Sequence, residues 1–240
     1  MFPLKDDIPT RRFPVLTVGI IAICCVVYFL FEQGLWSLGQ TGDERVLEYG
    51  AIPFEITNPG EEVGPPDQAP WFVTVISSMF MHGSLLHLGG NMLFLWIFGN
   101  NIEDSMGRVR FVAFYLIGGL GALALQVVSD ADSTLPTVGA SGAIAAVLGG
   151  YALLYPRARV VTFIFIIIIF TVIEMPALVV LGLWFLMQLL PAFSEPLGGG
   201  QGGIAYFAHI GGFVVGMVLI RLFADRVHED YESAHRMPVY

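Results

Sequence analysis

A serine and a histidine stand out in a chain that is otherwise strongly apolar. Ser141 lies in Gly139-Ala140-Ser141-Gly142 at the head of one apolar run, and His209 lies at the head of another. Polar side chains inside membrane-spanning segments are costly to keep unless they serve a function. At a shared depth, the hydroxyl and the imidazole would form a nucleophile and its general base. This pairing predicts a protease that works within the bilayer.

The residues around Ser141 suit a nucleophile. The small neighbours Gly139 and Gly142 leave the hydroxyl accessible, and the unpaired N–H groups at a helix start point toward an anion. The alternative is a helix N-cap or a packing site for small residues. The motif by itself does not decide between the two.

A glycine ridge accompanies His209. Gly212 and Gly216 are four residues apart, so they form a smooth helix face that lets another helix approach closely. Approach of the Ser141 helix would place the imidazole about 3 Å from the hydroxyl, as general base catalysis requires. The alternatives are a packing histidine or a metal ligand. No carboxylate or thiol lies nearby on the helix, so no metal or other cofactor is expected.

A third polar group consists of His82, His87 and Asn91. His87 and Asn91 are four residues apart and share one helix face, from which both can donate to a developing oxyanion. The alternative for this pair is hydrogen bonding between helices. His82 lies off that face and is interpreted as structural.

Acidic residues offer no clear third member of a catalytic triad. Asp130 and Asp132 fall in a predicted outer loop, and Glu174 lies beside Pro176 at a predicted helix break, where a structural role is expected. A two-residue Ser–His dyad is therefore favoured.

Composition sets the class of protein. Of 240 residues, 55% are hydrophobic and 13% are charged, whereas soluble domains carry about 25% charged residues. This predicts an all-α membrane protein with one domain. The net charge of −9 disfavours nucleic acid as a partner. The bilayer and membrane proteins are the expected partners, and the oligomeric state is open.

The apolar runs predict a cytoplasmic segment at 1–13, a membrane domain at 14–223 and a cytoplasmic tail at 224–240. A long outer loop, 34–84, is predicted to end in an interfacial stretch, 71–84. Six spans are predicted at about 14–33, 85–101, 111–128, 139–155, 176–192 and 204–223.

The apolar stretch 158–174 decides the topology. Ser141 and His209 share a membrane face only if an odd number of crossings separates them, so 158–174 is predicted to be embedded or interfacial without crossing. With six crossings and both termini inside, ten of the eleven basic residues obey the positive-inside bias. A multi-pass protein of the cell membrane is therefore expected.

The ordered set of these motifs over about residues 71–220 resembles the rhomboid family of intramembrane serine proteases. The resemblance implies a six-helix bundle, Ser141 as nucleophile and His209 as base. It also implies an oxyanion site formed by His87, Asn91 and the Ser141 backbone N–H, with His82, Gly139, Gly142, Gly212 and Gly216 in support. Transmembrane substrates would enter sideways into a cavity open to the outside, with 176–192 as gate and 193–203 as cap.

Two departures from the family pattern concern supporting residues. Some members carry a tyrosine four residues after the serine, under the catalytic histidine, where this chain has Ala145. Phe213 and Tyr206 are the candidates to hold His209 instead. Other members carry Trp-x-Arg in the first loop, where this chain has Trp71-Phe72-Val73.

Two other classes of protein are weighed against a protease. A rhomboid-like pseudoprotease would bind membrane proteins without cutting them, but that class is marked by loss of the serine or the histidine. A transporter or channel would line a path through both leaflets, whereas the polar set here is predicted in the outer half only.

Overall fold

The computed structural model describes residues 2–34, 42–166, 169–194 and 205–225. Most of the predicted cap loop, 193–203, and the predicted tail beyond 225 lie outside these ranges. Within them the chain forms helices α1 (Val15–Val26, extended by a π-helical turn, Val27–Glu32), α2 (Gly42–Tyr49), α3 (Pro53–Thr57), α4 (Trp71–Ser77), α5 (Leu85–Phe94, extended by a π-helical turn, Leu95–Gly99), α6 (Asn100–Met106), α7 (Arg108–Ser129), α8 (Ser141–Leu154), α9 (Ala177–Ser194) and α10 (Tyr206–Phe223).

Several helices are long and apolar enough to cross a membrane. Val15–Glu32, Arg108–Ser129 and Tyr206–Phe223 each meet that criterion alone. Trp71–Phe80 and Leu85–Met106 meet it together as a pair bent by 75°. Helices α8 and α9 are apolar but shorter. The protein is therefore a mostly helical membrane protein.

Helix α8 forms the centre of the bundle. Its residues from Gly142 to Ala152 are all buried. Small side chains let the neighbouring helices pack closely against it, so that a Cβ added at Gly118 of α7 or at Gly216 of α10 would overlap Ala146. The residue that begins α8, Ser141, is consequently placed between α7 and α10.

A three-stranded antiparallel sheet corrects the all-α prediction. Strand β1 (Phe2–Asp6) pairs with β2 (Arg159–Ile166), which pairs with β3 (Ile169–Pro176). Glu174 accordingly lies within a strand and not at a helix break, 3.9 Å from Arg159. The segment is rich in Val, Ile, Thr and Phe, which favour strands over helices.

Buried polar contacts fasten this sheet to the bundle. The Asp6 carboxylate accepts hydrogen bonds from Asn101 Nδ2 at 2.5 Å and from the Tyr151 hydroxyl at 2.7 Å. The Ala177 N–H donates to the Ala158 carbonyl at 2.8 Å, which joins the start of α9 to the segment after α8. Tyr151 lies about 15 Å along α8 from Ser141 at 1.5 Å per residue, so the sheet is at the far end of that helix.

Candidate active site

The backbone before α8 places the Ser141 hydroxyl at the helix head. Gly139 has φ +132°, a region that favours glycine, and its N–H donates to the Ser78 carbonyl at 2.8 Å. A Cβ at this position would lie 2.8 Å from the His87 ring and 3.3 Å from Ser141 Oγ. The absence of a side chain at Gly139 thus leaves room for the Ser141 hydroxyl and the His87 ring on the same side of the loop.

His209 directly contacts Ser141. Its Nε2 lies 2.7 Å from Ser141 Oγ, although 68 residues separate the two along the chain. The glycine ridge brings α10 this close, since a Cβ added at Gly212 would overlap the Gly142 carbonyl and lie 3.1 Å from Ala145 Cβ. The hydroxyl and imidazole therefore have the geometry that proton transfer requires.

The groups that hold His209 come from α9. Gln188 Oε1 lies 2.8 Å from His209 Nδ1, and the Trp184 ring lies 5.8 Å from the imidazole between centroids, tilted by 40°. The expectation that Phe213 or Tyr206 takes this role is wrong. Phe213 packs behind Trp184, at 6.2 Å between ring centroids, and Tyr206 makes no ring contact with His209 within the described ranges.

Sequence reasoning missed Gln188, although the chain carries a signal for it. Gln188 is the only amide or charged residue between Ala177 and Phe193. An isolated polar side chain in an apolar helix indicates a partner inside the bundle. The identity of that partner depends on tertiary packing and is not visible in the local sequence.

Helix α5 brings a second polar group to the same space. The Ser84 hydroxyl caps this helix by accepting the His87 N–H at 3.1 Å. His87 Nε2 and Ser141 Oγ lie within roughly 6 Å of each other, because both border the vacant side of Gly139. The buried Asn91 Nδ2 has no hydrogen-bond partner among the described residues. An unpaired donor thus lines the same cavity as the Ser141 hydroxyl.

His82 lies behind this group and not in it. Its side chain is fully buried, and its ring is 5.2 Å from that of His87 between centroids. Its backbone N–H donates to the Glu32 carboxylate at 3.1 Å. These contacts tie the end of the first apolar helix to the segment before α5.

A single cavity of about 610 Å³ connects these residues. Its walls include Ser141, His209, His87, Asn91 and Gln188, and its lining extends to the exposed Gly83, Ser84 and Leu86. The cavity is large enough for part of a peptide segment beside the hydroxyl. The arrangement therefore places a hydroxyl, an imidazole hydrogen-bonded to it and the unpaired Asn91 amide around one cavity.

These features define a helical membrane protein with a candidate serine-hydrolase site at the meeting of four helices. The family model described as the Rhomboid domain matches residues 70–226. The chain belongs to the rhomboid family.

Individual relatives agree with this assignment. The chain is 30% identical over 153 residues to "Rhomboid protein 1, mitochondrial" of Saccharomyces cerevisiae, covering 61% of this chain and 40% of the relative. It is 32% identical over 142 residues to "Rhomboid protease GluP" of Bacillus subtilis, covering 59% of this chain and 24% of the relative. It is 37% identical over 87 residues to "Presenilin-associated rhomboid-like protein A, mitochondrial" of Danio rerio, covering 35% of this chain and 23% of the relative. The matched part spans less than half the length of each of these relatives.

Proposed function

We propose that this protein is an intramembrane serine endopeptidase that cleaves transmembrane segments of other membrane proteins. The observation that carries the proposal is the 2.7 Å contact between Ser141 Oγ and His209 Nε2, at a cavity that also contains His87 and Asn91. Membership of a family with a relative named a protease supports it.

The proposed reaction begins with proton transfer. His209 Nε2 accepts the Ser141 proton as Oγ forms a bond to a substrate carbonyl carbon, whose oxygen becomes an oxyanion. Asn91 Nδ2, the His87 ring and the Ser141 backbone N–H donate to that oxygen. The C–N bond then breaks, and His209 returns the proton to the leaving amine. In the second half, His209 takes a proton from a water molecule, whose oxygen bonds to the acyl carbon. The bond from that carbon to Ser141 Oγ then breaks, and His209 returns the proton to Oγ.

The proposal includes a disposition in the membrane. Six crossings with both ends on the cytoplasmic side of the cell membrane would place the Ser141 end of the bundle toward the outside. The bent pair α4–α5 and the short helices α8 and α9 would then contribute crossings alongside the three long helices. A substrate helix would enter beside α9 and unwind in the cavity, so helix-destabilising residues and a small residue at the cut are expected.

Fluorophosphonate labelling followed by peptide mapping tests the nucleophile. The full chain in liposomes should be labelled at Ser141 and should cleave a single-span substrate. Ser141→Ala should abolish both, and His209→Ala should abolish labelling because the base is lost. Ser129→Ala is the matched control, since within the described part of the chain its hydroxyl donates to the Gln126 carbonyl alone, at 2.9 Å.

The outcome separates a protease from a pseudoprotease that binds membrane proteins without cutting. Substrate binding without labelling or cleavage would reject the enzyme and favour the binding protein. Cleavage that survives in folded Ser141→Ala would reject this nucleophile. Labelling that survives in His209→Ala would reject the dyad.

A further inference from the structure

Helix α9 carries one amide side chain directed into the bundle. Its neighbours Leu186, Met187 and Leu190 are exposed on the apolar outer surface, whereas Gln188 borders the cavity beside His209. Keeping a lone amide in an apolar helix is unfavourable unless its hydrogen bonds are made. Both the nitrogen and the oxygen of the Gln188 amide make hydrogen bonds.

The two hydrogen bonds fix which way the amide points. Gln188 Nε2 donates to the Trp184 carbonyl, four residues earlier in the same helix, at 3.1 Å. The opposite orientation would place the amide oxygen against that carbonyl oxygen, and two acceptors repel. Oε1 is therefore the atom that faces His209 Nδ1 at 2.8 Å.

This orientation fixes the tautomer of the neutral imidazole. The amide oxygen has no hydrogen, so the short contact with Nδ1 requires Nδ1 to carry the proton. A neutral imidazole has one N–H, so Nε2 then presents its lone pair. Nε2 is the atom 2.7 Å from the Ser141 hydroxyl, which can donate to it.

We propose that Gln188 is a positioning residue that holds His209 in the tautomer and ring orientation needed for a base. The inference deepens the proposed function and rests on it. Because Gln188 and Trp184 both belong to α9, the orientation of the base depends on α9 staying packed against α10. Separation of the two helices would remove the acceptor from Nδ1 and the ring from one face of the imidazole.

A set of three variants tests the positioning role. Gln188→Leu keeps the size and removes the acceptor. Gln188→Glu keeps an acceptor toward Nδ1 and, as the neutral carboxyl that an apolar surrounding favours, a donor for the Trp184 carbonyl. The exposed Met187→Leu is the matched control on the same helix. The fluorophosphonate labelling rate of Ser141 should fall about 10- to 100-fold in Gln188→Leu, less than the roughly 10⁴-fold loss caused by enforcing the wrong tautomer in a triad. Gln188→Glu should recover at least about a third of the wild-type rate, and Met187→Leu should match the wild type.

A spectroscopic measurement determines the tautomer of His209 without relying on catalysis. In protein labelled with ¹⁵N-histidine, the His209 signal, assigned by its loss in His209→Gln, should show a protonated Nδ1 in the wild type and a mixture of tautomers in Gln188→Leu. Thermal unfolding of each variant separates a loss of folding from a loss of positioning. A protonated Nε2 in the wild type would overturn the proposal.

The two proposals fail in different ways. The positioning role would be overturned if Gln188→Leu labelled at Ser141 as fast as the wild type, or if the Leu and Glu variants lost labelling equally. Either result would leave the protease proposal intact. A wild type that neither labels nor cleaves would reject the protease, and the tautomer measurement would then decide the role of Gln188 alone.

Discussion

At the scale of single residues, the site depends on the absence of a side chain at Gly139. The backbone there has φ +132°, and the side where a Cβ would project is filled by His87 and the Ser141 hydroxyl. Two separate effects, backbone strain and steric overlap, therefore exclude a side chain. Only the steric overlap acts on the side chains of His87 and Ser141.

Gly139→Ala should abolish most fluorophosphonate labelling, because its Cβ would displace the His87 ring and the hydroxyl. Gly60→Ala is the matched control, since Gly60 also has a positive φ, +100°, but open space around its Cβ position. Both variants bear a backbone strain of about 1–3 kcal/mol. Equal labelling rates in the two variants would contradict the steric argument.

The unpaired Asn91 amide gives a second prediction. If Nδ2 donates to the oxyanion only in the transition state, Asn91→Ala should lower kcat by roughly 100-fold and leave KM nearly unchanged. Kinetics on a single-span substrate in liposomes measure both constants. Asn58→Ala, which removes an amide at the end of α3 that donates to the Phe54 carbonyl, should have no such effect. A rise in KM with kcat unchanged would indicate substrate binding instead.

At the scale of elements, the contact between α8 and α10 brings serine and histidine together. Gly212 and Gly216 meet the backbone carbonyls of Gly142 and Ala146. Contacts this close leave no room for a methyl group, so the spacing of the helices is set by glycine and not by larger side chains. The contact between Ser141 and His209 follows from this spacing.

Gly216→Ala should lower the thermal unfolding midpoint, because the added methyl group overlaps the Ala146 carbonyl and overpacking costs about 1–3 kcal/mol. Gly182→Ala on α9 is the matched control, since nothing lies within 4 Å of its Cβ position. That control should be neutral or slightly stabilising, because alanine favours a helix by about 1 kcal/mol over glycine. An unfolding midpoint for Gly216→Ala as high as that of Gly182→Ala would contradict a tight contact between α8 and α10.

The elements differ in how far the sequence could predict them. The polar residues at helix heads and the glycine ridge are local patterns, so the Ser141, His209, His87 and Asn91 cluster could be anticipated. Segment 159–176 is as apolar as a membrane helix, so its hydrophobicity does not distinguish a strand from a helix. Its enrichment in β-branched residues was the signal for strands. Gln188 could be noticed as an isolated amide, but its partner depends on how α9 packs.

At the scale of the whole molecule, the sheet connects distant parts of the chain at the end of the bundle away from Ser141. Strand β1 precedes α1, and the β2–β3 hairpin connects α8 to α9. The Asp6 carboxyl is buried where these parts meet, and burial raises its pKa from 3.8 to about 6. Both of its hydrogen bonds are accepted by the carboxyl, so an amide oxygen could replace it.

Asp6→Asn should change how stability depends on pH. A carboxyl whose pKa is higher in the folded state stabilises the fold fully below pH 3.8 and loses that contribution as the pH rises through about 6. The Asn variant stays neutral, so it should be more stable than the wild type at pH 7.5, by at most about 3 kcal/mol, and equal to it near pH 4. Thermal unfolding across this range measures the difference. A difference that does not change with pH would contradict a buried, proton-binding Asp6.

The antiparallel pairing of β1 with β2 also constrains biosynthesis. Phe2 pairs with Phe163, so β1 leaves the ribosome about 160 residues before its partner strand exists. Its backbone donors and acceptors must stay solvated while α1 and the helices through α8 are inserted into the bilayer. Closure of the sheet thus has to wait until β2 has been synthesised, and a tag fused directly to β1 should hinder this later step more than the early insertion of α1.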